Sequence, residues 1–418
     1  MSDFPPHRGS AVSLLGVSLA LLGSSCLTPP GHLAASPGGG ANPVAARPGP
    51  RPFTQSSAEL VASLQLGWNL GNSLDVPGGE TAWGNPPVTP ELLRAVAAAG
   101  FDLVRIPVTW APHTGPGPDF VIEPAWLERV DEVVGYAHAA GLYAIINLHH
   151  DGADGFAGVE WLTLNDAAGN TTAANDAAVR ARFEAVWGQI ARHFADHGEE
   201  LLFESMNEIH DGYGTPDPRH LAFVNDLNRR FVKLVRASGG HNAARHLVLP
   251  GYNTNIEHTV QAFELPPDPT PDRLIVTVHF YDPYLFALQA KTHTWGRGAP
   301  GRDDWGQEEH VVAQFDLVKA TFVDRGVPVI LGEYGATHQA GYEDYRRYYL
   351  EYVTKAASDR GILPIYWDNG SRGSGGESFG LFDRRTGKIL HPKVLEAMRR
   401  AAAHDYSLAD VAPPEPSR

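Results

Sequence analysis

The sequence predicts a single (β/α)8 TIM barrel, and three observations carry that reading. Between residues 58 and 404, apolar β-branched runs alternate eight times with amphipathic stretches, the pattern of βα units closing on a parallel sheet. The runs are almost continuously apolar, as strands covered on both faces must be. Polar side chains gather at their C-terminal ends, the end at which such barrels carry their active sites. An open doubly wound sheet would show a glycine-rich phosphate turn after its first strand. Here the first run ends in GNSLD, with no such turn after it.

The strands follow in order. LGWNLGNSL (66–74) brings Asn69 near its exit and leads through TAWGNP to the helical run PELLRAVAAAG. FDLVRIPVTW (101–110) carries Arg105 and precedes AWLERVDEVVGYAHAAG. LYAIINLHH (142–150) ends in His149 and His150; adjacent residues of a regular strand point to opposite faces. The loop GVEWLTLND, with Trp161, and the helical run AAVRARFEAVWGQIARHFADH come next. LLFESMNE (201–208) ends in Asn207 and Glu208. HLVLPGY (246–252) follows AFVNDLNRRFVKLVRASGG, and the connection after it reads least like a helix. RLIVTVHFYDP (273–283) holds His279 and Tyr281, two apart and therefore on one face. The long loop KTHTWGRG, with Trp295, lies beyond it. VPVILGEYG (327–335) carries Glu333, and ILPIYWDNG (362–370), after YEDYRRYYLEYVTKAASDRG, carries Trp367. Several helical runs stop at a glycine just before the next strand, as helix C-caps do.

Strand alternation assigns FESMNEIHD, Phe203 to Asp211. Glu204, Met206 and Glu208 turn inward together. Glu204, the deeper acid, is expected to pair within the core. Asn207 is out of phase and reaches the same site only if the strand bulges or ends there. His210 and Asp211 fall in the loop.

Two carboxylates, Glu208 and Glu333, thus end facing strands. Glycoside hydrolysis needs such a pair: one acid protonates the leaving oxygen and the other attacks or stabilises the anomeric centre. A gap of about 5 Å retains configuration and a wider one, admitting water, inverts it. Taken singly, either acid also reads as a rim ion pair, the lesser alternative.

In order, GWNLGNSLD, TAWGNP, FDLVRIPVTW, INLHHD, FESMNEIH, VHFYDPY, LGEYGA and YWDNG resemble the motifs of glycoside hydrolase family 5, nearest its bacterial endo-β-1,4-glucanases and xyloglucanases. The resemblance spans about Ser57 to Ala402 and implies a retaining endo-acting hydrolase of β-1,4-linked glucans. It implies Glu208 as general acid/base and Glu333 as nucleophile. Arg105 and Tyr281 support the nucleophile, Asn207 holds the sugar 2-hydroxyl, and His149 and His279 surround the cleaved sugar. Trp367 floors that subsite. Asn69 and His150 are expected to bind substrate beside them. Ile209 departs from the proline common after the Asn-Glu pair of such families. On physical grounds Arg105 keeps Glu333 ionised, and Glu333 in turn keeps Glu208 protonated by like-charge repulsion.

Sugar rings stack on flat apolar faces. Trp83, Trp110, Trp161, Trp295, Trp305 and Trp367 lie in or beside strand exits and loops. Trp161 and Trp295, on long loops, are expected to border the cleft, whereas Trp110 and Trp305 read as packing.

Other classes remain. A β-mannanase fits the same scaffold, and so does a metal-dependent hydrolase. Such barrels draw an HxH pair from strand one, where this chain has Asn69 and Asn72, so no metal or cofactor is expected. A non-catalytic glycan-binding barrel is the third alternative. A net charge of −15 disfavours nucleic acid and anionic membrane as partners; β-glucan polymer or oligosaccharide is the expected one, met by a monomer.

Residues 1–26 read as a signal peptide around the apolar AVSLLGVSLALLG, too short to span a membrane comfortably. LLGSSC sets Cys26, the only cysteine, where lipoprotein precursors carry a lipidated one. Secretion, or a lipid anchor through Cys26 at a bacterial cell surface, is expected. Residues 27–57, rich in proline, glycine and alanine, read as a disordered linker, and 405–418 as a short polar tail.

Overall fold

The computed structural model describes residues 49–152, 156, 158–403 and 407–414; the predicted signal peptide, Cys26 and most of the predicted linker lie outside them. The described residues belong to one compact unit, Arg47–Arg418. Eight parallel strands close into a barrel in chain order. They are β1 Gly67–Leu70, β2 Leu103–Ile106, β3 Tyr143–Ile146, β4 Leu201–Glu204, β5 Leu247–Pro250, β6 Leu274–Phe280, β7 Val329–Tyr334 and β8 Ile362–Asp368. The helices are α1 Ser57–Ser63, α2 Pro90–Ala98, α3 Pro124–Ala139, α4 Ala173–His193, α5 Pro218–Ala237, α6 Ile256–Ala262, α7 Tyr284–Ala287, α8 Glu308–Thr321, α9 Glu343–Ser358 and α10 Pro392–Ala402. The weak connection after β5 is the single short helix α6.

Local chemistry sets the helix ends. Thr89, Thr172 and Asp217 accept backbone N–H groups as N-caps of α2, α4 and α5, satisfying donors that the first turn leaves unpaired. After α3 the chain turns at Gly141, whose φ of +87° suits glycine.

The barrel interior is layered. Leu103, Ile145, Leu202, Val248, Ile275, Ile330, Leu363 and Ile365 form a buried apolar cluster at its lower end, closed from below by Leu60 and Val61 of α1. Two residues further on, along β2 and β4 and just past the end of β3, the same inward columns carry Arg105, Glu204 and Asn147. Strand parity therefore turns the interior from apolar at the foot to polar at the mouth. A second cluster, between the strands' outer faces and the helices, includes Trp68, Trp110 and Trp187.

The strands are shorter than the apolar runs predict, because the residues past their ends leave the ladder and become the mouth of the barrel. Two chain-end expectations change as well. Within the predicted linker, Thr54 and Gln55 donate backbone N–H groups to Glu199 Oε1 at 2.8 and 2.9 Å, so these last residues before α1 are strapped to the barrel foot. Within the predicted polar tail, Val411 packs into the outer core.

Candidate active site

Arg105, fully buried on β2, joins four strand ends. Its Nε donates to Glu204 Oε2 at 2.7 Å and its Nη1 to Glu333 Oε1 at 2.7 Å and Asn69 Oδ1 at 3.0 Å. Its Nη2 donates to Asn207 Oδ1 at 2.8 Å. Burial works against the charge, but Glu204 and Glu333 outweigh it and hold the guanidinium charged. A buried charge of this kind persists only when paired and hydrogen-bonded. Asn147 Nδ2 also donates to Glu204 Oε2, at 2.8 Å, so Glu204 is the core acid its depth suggested.

Glu333 reaches the site through a bulge. Ile330 and Gly332 lie on the inward column of β7, and Glu333 is out of phase with them. The register slips on both sides of β7: Val278 pairs with Leu331 but His279 with Glu333, and the pairing with β8 is irregular between Leu331 and Tyr334. The extra residue re-aims Glu333 into the mouth. Gly332 is required there, since a Cβ would sit 2.4 Å from Thr277 Oγ1.

Asn207 and Glu208 arrive by the other route anticipated: β4 ends at Glu204, and the Asn207 N–H bonds to Leu148 O at 2.8 Å. His279 Nδ1 lies 2.5 Å from Glu208 Oε1 and 3.7 Å from Glu333 Oε2. Tyr281 donates to Glu333 Oε2 at 3.0 Å. Carboxylate oxygens of Glu208 and Glu333 lie within 4.8 Å of each other. Burial pushes the Glu333 carboxyl up, against the pull of His279 and Arg105, the latter in the expected direction. Burial pushes the His279 imidazole down to about 4, and that of His149 well below its usual value, so both are neutral at neutral pH. Burial also pushes the Tyr281 phenol well up, keeping it a donor.

These groups open into a cleft of about 700 Å³, lined also by His149, His150, Trp305 and Trp367. Trp367 stacks against His149, 5.7 Å between centroids with planes 9° apart. His149 and His150 do not oppose each other as a regular strand would have them. β3 ends at Ile146, and both rings meet the cleft, edge to face at 4.5 Å. Through Glu377 the cleft continues into a hollow of about 350 Å³ bordered by Trp83 and Asn85. Neither Lys nor Arg lines the main cleft among the described residues. A smaller hollow at the barrel foot, beside Val61, Val323 and Leu363, has no ionisable lining.

Three predicted substrate contacts lie elsewhere. Asn69 is fully buried, donating to Gly332 O at 2.9 Å, and holds the barrel and Arg105 together beneath the cleft. Trp295 is 0% exposed, with its indole N–H on Gly306 O; its loop folds under itself instead of bordering the mouth. Trp161 is half-buried, bonded to Asp151 Oδ1 at 2.7 Å and covered by Arg182 at 4.7 Å. Conversely Trp305, read as packing, is 44% exposed on the cleft wall. Asn147 was not singled out, although parity with His149 places it on the inward column. His210 is buried, and Asp211 binds Tyr252 and His220 in the loop.

Two sets of potential metal donors lie in the cleft, Asp75/His149/His150 and Glu208/His279/Glu333. Their oxygens are already engaged: Asp75 accepts the N–H groups of Asn72 and Ser73 at 2.9 and 2.6 Å.

A closed parallel barrel whose mouth holds two carboxylates this close, one gripped by arginine and tyrosine and the other by histidine, defines a glycoside hydrolase. The chain belongs to the cellulase family, glycosyl hydrolase family 5, whose sequence profile matches residues 69–373. It is 37% identical over 367 residues to Endoglucanase A of Paenibacillus barcinonensis, covering 82% of this chain and 89% of that protein. A broad-specificity endoglucanase from Bacteroides salanitronis superposes with a TM-score of 0.80 at 46% identity, over 85% of this chain and 97% of the other. A family 5 xyloglucanase from Paenibacillus pabuli superposes at 0.77 with 38% identity, over 82% and 100%. The chain is a glycoside hydrolase of the endoglucanase type.

Proposed function

We propose that the enzyme cuts soluble β-1,4-linked glucans internally, with retention, through a glycosyl ester on Glu333. The observation that carries this is that oxygens of Glu208 and Glu333 lie within 4.8 Å of each other, inside the reach of retaining pairs and below the roughly 6.5–9.5 Å of inverting ones. Glu333 attacks the anomeric carbon while Glu208 protonates the departing oxygen. Esterification removes the charge beside Glu208, which then deprotonates the incoming water. Arg105 and Tyr281 orient Glu333, His279 orients Glu208, Asn207 meets the 2-hydroxyl, and Trp367 with His149 forms an apolar floor.

The continuation of the cleft past Glu377 gives room along a chain instead of a blind end, which supports internal cutting. Endoglucanases and a xyloglucanase are among the relatives; mixed-linkage glucan and xyloglucan are the substrates we favour. We further propose that the enzyme is exported, by secretion or a lipid anchor at Cys26, and works as a monomer.

The test is Glu333→Ala. Turnover falls by orders of magnitude, and added azide restores it with release of the glycosyl azide of inverted configuration. A glycosyl azide of retained configuration, or near-normal activity, removes Glu333 as the nucleophile.

A further inference from the structure

Outside the cleft, His338, Glu343 and His391 bring one donor atom each within 4.8 Å of one another. They come from three places: the loop after β7, the first residue of α9, and the residue before α10. His391 Nδ1 lies 2.7 Å from Glu343 Oε1, and His338 Nε2 lies 3.3 Å from Glu343 Oε2. The other nitrogen of His338 decides how to read this. Nδ1 is 2.9 Å from Gly373 O, and a carbonyl can only accept, so Nδ1 carries a hydrogen. In a neutral ring Nε2 is then a lone pair, and it faces a carboxylate oxygen, also a lone pair. That oxygen, Glu343 Oε2, is shielded from solvent and has no hydrogen-bond partner. Two acceptors held face to face repel unless something positive lies between them.

We propose that this cluster is a binding site for a borderline divalent cation such as Zn²⁺, held by His338 Nε2, His391 Nδ1 and the Glu343 carboxylate, with solvent completing the shell. Imidazole and carboxylate are the donors such ions take, and ligands about 2.0–2.1 Å from one tetrahedral ion stand roughly 3.3 Å apart. The His338 Nδ1–H bond to a backbone carbonyl is the outer contact that fixes a ligating ring's tautomer and orientation. A bound ion ties the loop after β7, five residues beyond Glu333, to the last helix. Through Gly373 it also ties in the loop after β8, whose Glu377 and Phe379 line the cleft. The site is a cross-link of the catalytic rim and takes no part in bond cleavage.

The experiment uses the full chain, stripped with a chelator and titrated with Zn²⁺ by calorimetry while Tm is followed. One equivalent binds and Tm rises with Zn²⁺ concentration. His338→Gln and His391→Gln, with fold checked by circular dichroism and β-glucan hydrolysis, lose that equivalent and the rise in Tm. Glu208→Gln and His150→Gln, which alter the donor sets inside the cleft, keep both. Cobalt(II) gives d–d bands in wild type that vanish in His391→Gln. No Zn²⁺ binding in wild type overturns the proposal. So does binding that survives both histidine variants or disappears with Glu208→Gln.

Discussion

Glu333 is a carboxyl whose surroundings disagree about its proton. Burial raises it, while His279 and Arg105 pull it down without cancelling the rise. An attacking carboxylate must be ionised, so the acidic limb of kcat/KM is expected above the ordinary glutamate value of about 4.3. A pH–rate profile on a soluble β-glucan checks this; a limb at or below that value would show that Arg105 prevails. His279, pushed down to about 4, is neutral across the working range and adds no limb of its own near pH 6.5. At this scale much was legible. Glu208, Glu333, Arg105, Asn207, His279 and Tyr281 all meet at the mouth because they stand at strand exits, although parity alone aims neither Asn207 nor Glu333 there. Asn69 also turns inward but is fully buried, spent on Gly332 O and Arg105, and facing inward does not state exposure. Tryptophan exposure was not legible, since Trp295 and Trp305 share one connection and only its path decides which faces solvent.

The strand exits matter more than the strands. β4 delivers Asn207 and Glu208 by stopping early, and β7 delivers Glu333 by bulging at Gly332. The stop was anticipated for β4; the β7 bulge left no mark that a regular apolar run would lack, apart from a glycine. Gly332→Ala is expected to overpack against Thr277, destabilising by about 1–3 kcal/mol and lowering kcat by shifting Glu333. Adding Thr277→Ala removes the oxygen in the way and should restore part of both. Thermal melts and kcat across the four variants test this, and strict additivity would refute the contact. On the connection after β6, the two tryptophans separate binding from packing. Trp305→Ala should weaken oligosaccharide binding about 2- to 12-fold with little change in Tm. Trp295→Ala should cost about 3–5 kcal/mol of stability with binding largely kept. Calorimetric titration beside melting gives both numbers, and the opposite pattern would return Trp295 to the cleft.

The whole barrel folds around neutral histidines. His246, at the foot, is buried between Ser57, Arg273 and Glu199 and pushed down to about 4, first by burial and then by Arg273. His279 and His149, at the mouth, are lowered too. A histidine whose folded value lies below its unfolded one, about 6.5, gives stability that is complete above pH 6.5 and is lost as pH falls toward 4. Each contributes up to about 1.4 kcal/mol per pH unit within that window. Glu333, raised on folding, works in the opposite sense over its own titration and offsets part of one. Denaturant melts between pH 7 and 4 should therefore show a steep loss, made shallower by His246→Gln while the acidic limb of kcat/KM stays put. An unchanged slope would mean that His246 is already protonated in the native state.

The strap from Thr54 and Gln55 to Glu199 has a geometric consequence. It fixes where the compact unit is gripped by the chain that precedes it: at the pole opposite the mouth. Any load applied through that segment, from a fused module or a surface linkage, pulls on the foot of the barrel and meets Glu199 and α1 before the mouth. Thr54 and Gln55 are thus a handle placed behind the tool, on the far side of the barrel from the cleft.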